Sequence, residues 1–132
     1  LSFDSLIPVG TLPEEPKPPT VMELIEQYSE EYEVNLNLAI QLAKFESKLN
    51  PLAKNPKSSA KGIYQFIDST WKGLCAGDVL EAEDNIKCAM NLIGGGGISH
   101  WTSDNNIRLK LWDLGFLKCK NYDKNWCKLV WD

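Results

Sequence analysis

The 132-residue chain predicts one mainly α domain of α+β character, with a small β element next to a strongly amphipathic helix. Three observations predict it. Apolar residues recur at helical spacing in successive stretches along the chain. One Gly-led segment, 62–67 (GIYQFI), reads instead as a short apolar-polar strand. A hydrophobic share of 43% and five tryptophans suit a single core at this length.

Residues 1–19 hold five of the seven prolines and little periodicity, so they read as an extended linker or tail before a domain at 20–132. Thr20-Val21-Met22-Glu23 is a capping box: the Thr20 hydroxyl can accept from the Glu23 amide, and the Glu23 carboxylate from the Thr20 amide. Val21, Leu24, Ile25 and Tyr28 follow at helical spacing, to about Tyr32. The second helix starts from Asn35 or Asn37 and reaches Leu49, with Leu38, Leu42, Phe45 and Leu49 as its stripe. Ala39 and Ala43 share a face with Glu46, and such small residues let another segment approach it. Pro51 ends that helix, since proline disfavours helix in the residue before it.

A polar loop over 50–61 leads to the strand at 62–67. Asp68 or Ser69 should cap a helix that carries Trp71 and runs through Leu74. A further helix spans about 81–93, with Ile86, Ala89, Met90 and Ile93 inward. Gly94 to Gly97 stop it, and a last helix covers 104–114 with Gly115 at its C-terminal cap.

Composition narrows the function. No run of eighteen apolar residues occurs, so no integral membrane segment is expected. The chain begins at Leu1 without a basic-then-apolar leader, which reads as a piece of a longer protein or a mature form. Net charge is −4, with glutamates crowded at 14–33 and five lysines (44, 48, 54, 57 and 61) around Glu46. That lysine group is either a solvated face or an attraction for an anionic polymer. It contains no arginine in an acidic chain, which argues against nucleic acid. The four cysteines lack CxxC spacing and lie far from the single histidine, so no metal site and no cofactor are expected. Two local disulfides, Cys75–Cys88 and Cys119–Cys127, fit best and imply an extracytoplasmic setting; four buried thiols are the alternative.

Glu46 is the leading catalytic candidate. It is a lone carboxylic acid near a helix end, facing a short segment across a loop. Helix-end carbonyls disfavour its ionised form, as a general acid requires. An isolated helix-end glutamate is ordinarily just exposed; the surrounding residues make the difference.

Those residues are Glu46-Ser47, Asn50-Pro51, Ala60-Lys61-Gly62-Ile63-Tyr64-Gln65, Ser69-Thr70-Trp71 and Asp84-Asn85-Ile86 with Ala89 and Leu92. In that order and spacing they resemble the SLT-type lytic transglycosylases of the goose-type lysozyme-like superfamily, over roughly residues 20–93. Ile63 and Tyr64 stand where the family's Gly-Leu-Met-Gln motif has Leu and Met. The resemblance implies a lysozyme-like fold and a peptidoglycan glycan strand as substrate, with the domain expected to be a monomer. It implies that Glu46 protonates the leaving oxygen of the β-1,4 bond between N-acetylmuramic acid and N-acetylglucosamine. It carries a substrate contact to Gln65; Ser47 and Tyr64, within the matching motifs, are further candidates, and Trp101, an aromatic after the glycine run, is a candidate to stack on a sugar ring. For these four the plain alternatives are an exposed polar residue, a helix-end hydroxyl bonded to a carbonyl, and two core aromatics. His100 reads as structural or exposed.

Where many relatives carry Tyr-Asn-Ala-Gly to orient the acid, this chain reads Gly-Gly-Gly-Gly-Ile-Ser-His-Trp. Trp101 and Tyr122 are candidates for neighbouring roles. No acid occurs between Ser47 and Ile67 to serve as a second carboxylate; Asp68, Asp78, Glu81 and Asp84 remain. A single acid suits transglycosylation, in which the 6-hydroxyl of muramic acid attacks its own C1. A muramidase acting on the same bond, and a silent peptidoglycan-binding module, are the alternatives.

Overall fold

A computed structural model describes residues 15–120 and 127–130, and shows a mainly helical fold with a small antiparallel hairpin. The helices are α1 (Val21–Glu31), α2 (Leu36–Ser47), α3 (Asp68–Leu74), α4 (Ala82–Gly94), α5 (Ser99–Thr102) and α6 (Asn105–Asp113). Strands β1 (Leu117–Cys119) and β2 (Cys127–Leu129) pair in antiparallel register, Leu117 opposite Leu129. Among the described residues no helix is long and apolar enough to cross a membrane. Residues 15–20 are exposed and without regular structure; the rest of the expected linker lies outside the described residues.

Local chemistry sets the helix starts. The capping box at Thr20 forms in full, with Glu23 N donating to Thr20 Oγ1 at 3.1 Å and Thr20 N donating to Glu23 Oε1 at 3.0 Å. Asn35, the earlier of the two candidates, caps α2 through the Leu38 amide. Asp104 caps α6, accepting from Asn106 and Ile107. The expected cap of α3 is corrected: Asp68 already lies inside the helix, and Ile67 holds the cap position without a side-chain bond.

Leu38 and Leu42 of α2, Leu24 and Ile25 of α1, and Ile86, Ala89 and Met90 of α4 are buried in one core, with Phe45 and Leu49 packed on its edge. Each fully buried Leu or Ile contributes roughly 1.5–3 kcal/mol relative to exposure. Between α1 and α4, Tyr28 donates its hydroxyl to Glu83 at 2.9 Å. Burial and Glu83 together push the Tyr28 phenol up to about 12.

The expected strand at 62–67 is not there. Residues 61–66 form a chain of turns closed by isolated bridges, Lys54 to Lys61 and Lys61 to Phe66. Ile63 and Tyr64 are both fully buried, which breaks strand alternation, and Gln65 takes φ of 55°. The β structure lies instead at 117–119 and 127–129, and the chain between Gly97 and Asp104 adds the short helix α5. Both expected disulfides are present, Cys75–Cys88 joining the end of α3 to α4 and Cys119–Cys127 closing the hairpin.

Candidate active site

Glu46 lies in the last turn of α2, half-buried, and no other described group hydrogen-bonds to its carboxyl. Its pKa is pushed up from an ordinary 4.5 to about 8. Burial is the largest cause, the negative charge of Asp104 adds to it, and Lys110 opposes it. Both of these charged residues come from α6 and its cap, which pack against α2. Lys110 also sits 5.1 Å above the ring of Phe45, the neighbour of Glu46. The opposing cation is therefore Lys110 rather than the sequence neighbours Lys44 and Lys48, which are exposed. A carboxyl near 8 is mostly protonated at neutral pH, which is the state a general acid requires.

Glu46 opens into a cleft of about 560 Å³, bounded by Lys48, Ala53, Lys54, Asn55 and Gln65. Ser47 fixes the wall of that cleft. Its hydroxyl donates to Ile63 O at 2.7 Å, with Ala43 O at 3.2 Å as a weaker share of the same proton. The 62–66 turn is held from its other side by Asn85, which is fully buried. Tyr64 N donates to Asn85 Oδ1 at 3.0 Å, and Asn85 Nδ2 donates to Val79 O at 2.8 Å. Gly62 is obligatory here: its φ is 81°, and a Cβ would lie 2.2 Å from Asn85 Nδ2 and 2.4 Å from Val79 O.

A family model for the transglycosylase SLT domain matches residues 23–95. The chain belongs to this family. Probable transglycosylase SceD from Staphylococcus aureus strains Newman, COL and N315 is 37% identical over 84 residues, an alignment covering 57% of this chain and 36% of each relative. The chain thus spans about a third of the length of the curated relatives it matches. No solved structure matches it.

Within this SLT domain the candidate residues separate. Glu46 and Gln65 share the cleft. Gln65 donates its amide to Gly62 O at 2.8 Å and Ala53 O at 3.2 Å, which leaves its Oε1 as an acceptor. The other three expected contact residues are buried. Tyr64 is fully buried, its hydroxyl donating to Ala39 O at 2.7 Å, so it is a core residue that pins the turn to α2. Trp101 is only 3% exposed; its indole N–H donates to Tyr64 O at 2.9 Å and its ring packs edge-on against Phe66, so most of it is committed to the core. Ser47 is buried and positions backbone. Tyr122 lies outside the described residues.

Sequence reading missed Asp104 and Lys110, the charges that bear on Glu46. Both lie beyond the family match, 58 and 64 residues from Glu46, and the only available signal was the Asp-Asn-Asn start of a helix. His100 is exposed beside a smaller hollow of about 310 Å³ that Gln65 also lines. Among the described residues no group of His, Cys, Asp or Glu is arranged to hold a metal ion.

Proposed function

We propose that this domain is a peptidoglycan lytic transglycosylase that cleaves the β-1,4 bond between N-acetylmuramic acid and N-acetylglucosamine, with Glu46 as its acid and then its base. The single observation that carries this reading is the state of Glu46: a half-buried carboxyl pushed up to about 8, opening into a cleft. A binding module has no use for a proton held there.

Protonated Glu46 gives its proton to the leaving oxygen as the bond to muramic C1 breaks. The resulting carboxylate then takes the proton of the muramic 6-hydroxyl, whose oxygen closes on C1. The product is a 1,6-anhydro end, and no water is consumed. The nucleophile belongs to the substrate and is already adjacent, so no enzyme nucleophile is required. Gln65 Oε1 is placed to accept from an N-acetyl N–H or a sugar hydroxyl. Two disulfides support an extracytoplasmic location.

Hydrolysis of the same bond is the second reading, and the charge of Asp104 near Glu46 favours considering it. Against it, Asp104 Oδ1 is engaged as the α6 cap and Asp104 does not line the cleft. Mass spectrometry of products from purified peptidoglycan, beside a Glu46→Gln control, tests both. Muropeptides one water lighter than hydrolysis products, absent from the control, support transglycosylation; ordinary reducing ends overturn it in favour of a muramidase. No release from either protein, with retained binding, leaves the binding module.

A further inference from the structure

Lys110 reaches the surroundings of Glu46 from α6, and one side chain holds it there. Its Nζ lies 5.1 Å from the centroid of the Phe45 ring, within the range of an attractive cation–π contact. Among the described residues Lys110 takes part in no salt bridge, whereas Lys61 pairs with Asp68 at 2.9 Å. The ring is therefore what restrains an ammonium on a long, exposed stem that otherwise rotates freely.

Phe45 is suited to that task. It directly precedes Glu46 on α2, packs on the edge of the core and lines the Glu46 cleft. A ring fixed by packing gives the cation one place to sit. That place matters because no described group hydrogen-bonds to the Glu46 carboxyl, so its ionisation answers to burial and to charge acting through space. Two charges act on it, Asp104 against the carboxylate and Lys110 for it, both from α6 and its cap. Lys48 and Lys54 also line the cleft, and Lys44 is exposed on α2. The other helix packed on α2, α1, supplies no charge that acts on Glu46.

We propose that Phe45 is a positioning residue, whose ring keeps the Lys110 ammonium within electrostatic reach of Glu46 as the carboxyl gives up its proton and becomes a carboxylate. This rests on the proposed reaction. In a partly dry cleft beside the charge of Asp104, the new carboxylate is opposed by desolvation and by repulsion. A cation already seated nearby offsets both without reorganising. The same cation released to solvent would be screened.

A double-mutant cycle of Phe45→Leu and Lys110→Gln tests this. It is read on the titration of the Glu46 carboxyl carbon by NMR, assigned with Glu46→Gln, and on the pH profile of product release from peptidoglycan. Leucine keeps apolar bulk and removes the π face. Phe45→Leu should move the titration and the alkaline limb to higher pH by about half a unit, the shift equivalent to an exposed cation–π contact. In the Lys110→Gln background the same substitution should no longer raise either. Phe45→Tyr, which keeps the ring, should leave the titration in place.

A shift of the same size and sign in both backgrounds, a shift that Tyr does not prevent, or no shift at all overturns the inference. If the unaltered protein releases no product, the proposed reaction fails, while the NMR titration still decides whether Phe45 sets the place of Lys110.

Discussion

Ser47 and Ile63 are joined by a 2.7 Å hydrogen bond across sixteen residues of sequence, from a buried hydroxyl to a buried carbonyl. That bond ties the end of the helix carrying Glu46 to the turn carrying Gln65. Ser47→Ala would leave the Ile63 carbonyl without its donor, at a cost of about 1–3 kcal/mol. The melting temperature should fall, and kcat should fall by about tenfold or more as the two walls of the cleft lose register. An unchanged kcat would show that the bond does not position the acid.

Glu46→Gln should lower turnover by at least about 10²-fold while the fold persists by circular dichroism. In the unaltered domain the rate should decline as pH rises through about 8, because the acid form is then lost. Stability follows the same sign. Folding raises the Glu46 pKa from 4.5 to about 8, so the unfolded chain binds fewer protons between those values. The contribution is full below 4.5 and is lost as pH rises through about 8. Denaturant titrations at several pH values should show this slope, and the Gln variant should lack it.

Asp104→Asn keeps an α6 cap, since asparagine caps as well as aspartate, but removes the charge that raises Glu46. The alkaline limb of the rate profile should move to lower pH. Lys110→Gln should move it the other way, because Lys110 lowers the Glu46 pKa. A limb that stays in place in both variants would mean that burial alone sets the acid.

Asn85→Ala strips partners from the Tyr64 N–H and the Val79 carbonyl inside the core, with an expected cost of about 2–4 kcal/mol. Gly62→Ala should be at least comparably damaging, since the new methyl meets Asn85 and Val79 at 2.2 and 2.4 Å. Urea unfolding measures both.

Removing Cys75–Cys88 as a Cys→Ala pair should cost about 2–4 kcal/mol, the scale for a crosslink over a short loop. Neither cysteine lines the Glu46 cleft, so kcat at a temperature below unfolding should hold near its original value.

Helices were legible because their causes are local. The Thr20–Glu23 box, the Asn35 cap and the Leu38–Leu42 stripe each lie within one or two turns. The disulfide pairs were legible because each closes a short loop. The 62–66 segment was misread because apolar and polar residues along it look like strand alternation. Its conformation depends instead on Ser47, Asn85 and Trp101, three residues distant in sequence that hold the carbonyls of Ile63 and Tyr64 and the amide of Tyr64. Tyr64 and Trp101 went to the core for the same reason: a large aromatic with a satisfied polar tip is stable inside, and composition does not say which aromatics will find such a tip.

By itself the sequence determined the helical class, the two disulfides and the family, and it singled out Glu46 as the candidate acid, because spacing and residue type carry those. Tertiary structure decided how that acid is held. Glu46 owes its raised pKa to burial and to the charge of Asp104, set against the opposing charge of Lys110, and both charges reach it only when α6 folds back onto α2. Desolvation and Coulomb interaction act through space and fall away over a few ångströms, so no local pattern around residue 46 records them.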